Sequence, residues 1–120
     1  MPRFSSSLGL ILSAIAGSAA LAQPSFQGLG IVGALPDGSR TFSYPYAISG
    51  DGKTVVGYCS APTGYQAFRW TQAAGLEMFI PGTYSFATAV SHDGGVIAGD
   101  KPANGGQQAF RWTQATGAVA

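Results

Sequence analysis

The sequence predicts an all-β chain built from antiparallel repeat units of about four short strands each. Three observations carry that expectation. The heptapeptide AFRWTQA occurs twice, at Ala67–Ala73 and Ala109–Ala115, 42 residues apart. The same offset relates the flanks: 16 of the 32 positions in 47–78 are identical to their counterparts in 89–120. An internal period of this size marks a repeat architecture. Within each unit, β-branched and aromatic runs alternate with Gly, Pro, Asp and Ser turns, and nothing after Gln23 carries an amphipathic helical period of useful length.

The elements follow in order. Tyr46–Ser49 is a short apolar segment that runs into Gly50-Asp51-Gly52, a strong turn signal. Thr54–Tyr58 is β-branched and aromatic, hence a strand. Ser60–Gly64 reads as a loop, which places Cys59 in or beside it. Tyr65–Thr71 alternates, with Phe68 and Trp70 on one side and Arg69 on the other. Thr71–Gly75 turns, and Leu76–Phe79 is a fourth strand. The second unit repeats this at Ala87–Ser91, Val96–Gly99, Gln107–Thr113 and from Ala118 onward.

Four strands in about 42 residues is the spacing of a β-propeller blade. A single blade cannot bury both faces, so blades stack, typically about 4–8 of them. Phe68, Trp70, Phe110 and Trp112 are expected to pack between neighbouring sheets, because identical packing problems select identical residues. Arg69 and Arg111 then cap carbonyls or lie across an aromatic face. The expected organisation is a signal peptide at 1–22, a partial repeat or leading strand at 23–46, a first unit at 47–88 and a second at 89–120. The second unit stops at Ala120, aligned with Met78 inside a strand, so an incomplete propeller is expected. Its open faces would expose Val55 and Phe68, and the isolated chain would self-associate or require further repeats of a longer chain.

The N-terminus has the three parts of a secretory signal: Arg3, an apolar run from Leu8 to about Ala16, and Ala20-Leu21-Ala22 before Gln23. The apolar run is too short to span a bilayer, which takes roughly 20 residues. Beyond it, five positive residues (Arg40, Lys53, Arg69, Lys101, Arg111) balance five negative ones (Asp37, Asp51, Glu77, Asp93, Asp100). A chain so poor in charge has no electrostatic footprint for nucleic acid. Cys59 is the single cysteine, so no internal disulfide supports the fold.

Candidate chemistry is sparse. Ser49, Asp51 and Gly52, and Ser91, Asp93 and Gly94, form S-x-D-G turns in which the Asp accepts backbone N–H bonds. One carboxylate per turn is too few for calcium, which takes about 6–8 oxygens. Ser91-His92-Asp93 cannot act as a triad, since adjacent residues point in different directions. Cys59 lacks a basic neighbour to activate it. Gly28-Leu29-Gly30-Ile31-Val32-Gly33 has the spacing of a dinucleotide loop, but Pro36-Asp37-Gly38 breaks the helix such a site needs. No catalytic, cofactor-binding or metal-binding residue is assigned.

The patterns A-[IV]-S-x-D-G-x(4)-G and G-x-Q-A-F-R-W-T resemble the extracellular HAF repeat, named for a His-Ala-Phe triplet before Arg-Trp. Here Gln66-Ala67-Phe68 and Gln108-Ala109-Phe110 stand at that triplet, with Gln in place of His in both copies. The resemblance implies a propeller-like fold in a secreted or cell-surface bacterial protein, and no established activity. The expected role is structural, adhesive or interactive without catalysis. The alternative is a piece of a larger secreted propeller protein, enzyme or carbohydrate-binding, whose site lies on other blades. Carbohydrate binding by Trp70 and Trp112 would require exposed rings.

Overall fold

The computed structural model describes residues 25–31, 41–62, 64–80, 82 and 84–120. The expected signal peptide at 1–22 and the break at Pro36-Asp37-Gly38 lie outside the described residues. The chain forms two four-stranded antiparallel sheets, and among the described residues there is no helix. The first sheet runs β1 (Ser43–Ile48), β2 (Thr54–Ala61), β3 (Gly64–Thr71) and β4 (Gly75–Met78). The second runs β5 (Phe86–Val90), β6 (Val96–Ala103), β7 (Gly106–Thr113) and β8 (Gly117–Val119). In each, sequence neighbours pair as a meander.

Every pairing in the second sheet repeats one in the first at the 42-residue offset. Thr54 faces Thr71 and Val55 faces Trp70, as Val96 faces Thr113 and Ile97 faces Trp112. Both first pairs carry a bulge at the same point, between Pro45 and Ala47 and between Ala87 and Ala89. Beside each bulge the sheet needs glycine. A Cβ on Gly57 would strike the Tyr44 carbonyl oxygen, and one on Gly99 the Phe86 carbonyl oxygen. Proline is tolerated at Pro45 because β1 is an edge strand.

The sheets stack face to face. Val56 and Ala67 of the first meet Ala87, Ile97, Phe110 and Trp112 of the second, with Ile80 from the connection closing the cluster. The other face of the first sheet holds a smaller cluster of Val55, Cys59 and Phe68, against which Leu29, Trp70 and Leu76 pack. β2 is thus covered on both faces and is buried at seven of its eight positions, which is why it reads as a continuous apolar run. β6 alternates more, because its far face is open: Ile97 is buried and Ala98 exposed.

Three sequence expectations change here. The first sheet begins at Ser43, so the last residues of the expected leading segment belong to β1. β2 continues through Ala61, so Cys59 lies within a strand and not beside a loop; pairing of Cys59 with Gln66 and Ser60 with Tyr65 extends the ladder. Val55 and Phe68 are buried rather than exposed, because Leu29 and Leu76 cover that face.

The connection between the sheets is tied down by hydrogen bonds to β3. Ser85 N–H donates to the Tyr65 carbonyl at 3.2 Å, and Ala67 N–H donates to Ser85 Oγ at 2.9 Å. β4 pairs with β3 only from Phe68 onward, so these bonds satisfy groups that the short strand leaves over.

Candidate functional site

The S-x-D-G turns are built alike. Ser49 Oγ donates to Asp51 Oδ1 at 2.6 Å and accepts from Thr54 N–H at 3.0 Å, while Lys53 N–H donates to Asp51 Oδ1 at 3.0 Å. Ser91, Asp93, Gly95 and Val96 repeat the pattern at 2.8–2.9 Å. Gly52 and Gly94 take the left-handed backbone (φ 73° and 77°) that each turn requires. The Ser49 hydroxyl, then the Lys53 amide, hold the Asp51 carboxyl below its ordinary range; the Gly95 amide, then the Ser91 hydroxyl, do so for Asp93. Both serines and both carboxylates are therefore engaged in closing hairpins. The turns also touch each other: Asp51 N–H donates to the His92 carbonyl at 3.0 Å, and His92 occupies the space over Gly50 that a side chain would fill. Among the described residues, no three His, Cys, Asp or Glu side chains converge as a metal site.

The two Phe-Arg-Trp motifs sit in different surroundings. Phe110 and Trp112 lie between the sheets, 4 % and 7 % exposed. The Arg69 guanidinium stands 4.9 Å from the centroid of Trp112, pairs with Glu77 at 2.9 Å and reaches Gln114 Oε1 at 3.4 Å. Phe68 and Trp70 lie on the far face of the first sheet. Trp70 is partly exposed and, with Lys53 and Gln72, lines an open groove of about 470 Å³. Arg111 is exposed, and Val119 stands across β8 where Arg69 has Glu77.

Cys59 is fully buried, with its thiol 3.5 Å from the Gln66 carbonyl oxygen. Burial pushes the thiol pKa up to about 11, which disfavours the nucleophilic thiolate.

A further surface feature belongs to neither repeated motif. Phe42, Tyr44, Tyr46, Tyr58, Tyr65, Tyr84 and Phe86 form one contiguous cluster that holds all five tyrosines of the chain. Tyr58 is its centre, with ring centroids 5.0–6.1 Å from Phe42, Tyr44, Tyr46, Tyr65 and Phe86. The ladder explains the convergence. Tyr44 faces Tyr58 directly, and the small Ala67 opposite Tyr58 on the other strand leaves space for the rings. The bulge at Pro45/Ala47 brings Tyr46 beside Tyr58 as well. Tyr44, Tyr46 and Tyr84 remain about half exposed (53 %, 58 % and 49 %), and Tyr65 is 39 % exposed. Desolvation, then the neighbouring phenols, raise the Tyr58 pKa above its ordinary value.

A signal for this cluster does exist in the sequence. At the 42-residue offset, Tyr46, Tyr58 and Tyr65 correspond to Thr88, Asp100 and Gln107. These tyrosines are thus departures from the repeat, whereas the shared Phe-Arg-Trp residues are its frame.

No protein-family model, curated protein or solved structure matches the chain. Among the described residues, no helix is long and apolar enough to cross a membrane.

Proposed function

We propose that this chain is an exported interaction module of two propeller-type blades, and that it adheres through its tyrosine cluster rather than by catalysis. The blade reading is supported by the matched registers and bulges, by the paired S-x-D-G turns and by front-to-back stacking of one sheet on the next. The observation that carries the function is the gathering of every tyrosine on one partly exposed surface, with Tyr46, Tyr58 and Tyr65 at positions where the second unit turns polar.

Tyrosine offers a large, rigid contact area at low entropic cost together with a hydroxyl for hydrogen bonding, which is why it is enriched in binding surfaces. The rings are mutually tilted by 31° to 85°. Such a surface lacks the coplanar platform on which a sugar face stacks, and suits a protein or peptide partner. Trp112 is buried and unavailable to a sugar ring.

The test is retention of the purified full chain on a bacterial cell-envelope fraction. The wild type is expected to co-sediment. Tyr44→Ser/Tyr46→Ser is expected to lose about tenfold in retention while keeping its β-sheet circular-dichroism spectrum, since exposed aromatic anchors carry much of the energy of such contacts. Equal retention of the variant, or none by the wild type, would overturn the proposal.

A further inference from the structure

We infer that the groove beside Trp70 receives Arg111 of a second copy of this chain, so that copies stack head to tail through the contact that already joins the two sheets. The inference rests on reading both sheets as one repeated unit.

The internal interface supplies the template. A donor arginine on the face of one sheet that meets the next, Arg69, lies over the tryptophan of that next sheet, Trp112, with Gln114 accepting from its guanidinium. At the 42-residue offset the receiving pair is Trp70 and Gln72, which both line the open groove. The offset counterpart of the donor is Arg111, exposed on the outer face of the second sheet. The surroundings of the donor match as well. Val56 and Ala67, buried beside Arg69, correspond to Ala98 and Ala109, which are small, apolar and exposed. The turn contact has its counterpart too: Asp51 N–H on the His92 carbonyl becomes Asp93 N–H on the Gly50 carbonyl of the next copy.

Two differences make the contact between copies weaker than the internal one. Arg111 lacks an acidic partner, since Val119 replaces Glu77. Lys53 lines the groove where the second unit has Gly95. Leu29 covers the Val55–Phe68 part of the same face, which confines the docking site to the Trp70 end. The contact uses two different surfaces, so it is heterologous and adds copies in a row.

Sedimentation of the full chain from about 10 µM to about 1 mM, the range of weak and transient contacts, tests this. The weight-average mass of the wild type is expected to rise with concentration beyond a dimer. Arg111→Ala and Gln72→Lys are each expected to stay monomeric, with unchanged melts because both side chains are exposed. An equimolar mixture of the two variants retains one intact interface, so it should form a dimer and stop there. Lys53→Glu should tighten association about threefold, the scale of an exposed ion pair. A wild type that stays monomeric, association insensitive to Arg111 and Gln72, or a mixture that fails to dimerise would overturn the inference. Envelope retention with a monomeric wild type would remove the stacking and leave the adhesive reading in place.

Discussion

Arg69 and Arg111 occupy the same place in the same motif, and their neighbours give them different energetic roles. Arg69 lies over a buried indole and pairs with Glu77, whereas Arg111 faces solvent. In urea unfolding at low protein concentration, Arg69→Ala is expected to cost about 1–2 kcal/mol, the scale of a partly desolvated cation–π contact. Arg111→Ala should stay within about 0.5 kcal/mol. Equal losses would mean that Arg69 does not sit on Trp112. Cys59 and Tyr58 give the alkaline limb of stability. Both pKa values are raised in the fold, by burial first. The folded state then holds its protons while the unfolded chain releases them. Stability is therefore full below the ordinary values of 9.0 and 10.0 and falls as pH rises, with Cys59 contributing up to about 11. Cys59→Ala should shallow that slope, and the native thiol should resist a disulfide reagent until the chain unfolds.

At the scale of elements, the S-x-D-G turns were legible because their chemistry is local: Ser, Asp and Gly act within five residues of one another. Their contribution has a definite pH signature. Asp51 and Asp93 have lowered pKa values, so the stability they lend is present above the ordinary value of 3.8 and is lost as pH falls through the lower folded values. The double substitution Asp51→Asn/Asp93→Asn should lower the melting temperature at neutral pH and flatten the curve below pH 3.8. A melting temperature that keeps its acid dependence would show that other carboxylates set it. Strand ends were less legible. Ser60 and Ala61 look like the start of a Pro-Gly loop, yet pairing with Tyr65 and Gly64 holds them in β2. The role of Leu29 was likewise hidden, because a lone leucine in a glycine-rich stretch gives no periodic signal, and its contact is with Val55, Cys59 and Phe68, far along the chain.

At the scale of the whole molecule, the repeat made the two sheets legible, and the departures from the repeat carry the proposed function. The tyrosine cluster went unread because its tyrosines come from β1, β2, β3 and the connection between the sheets, and only register and the bulge bring them together. Which Trp would be enclosed was equally a matter of stacking direction: the second sheet turns its Trp toward the first, and the first turns its own away. The proposed export adds an expectation: N-terminal sequencing of the mature protein should begin at Gln23, and an intact Met1 would contradict it. The most direct test of the front-to-back stack is acrylamide quenching of two single-tryptophan chains at about 1 µM, below the range of weak association. Trp70→Phe, which keeps Trp112, should emit at short wavelength and resist quenching; Trp112→Phe, which keeps Trp70, should emit further to the red and be quenched readily. Equal accessibility of the two indoles, or the reverse order, would contradict the stack.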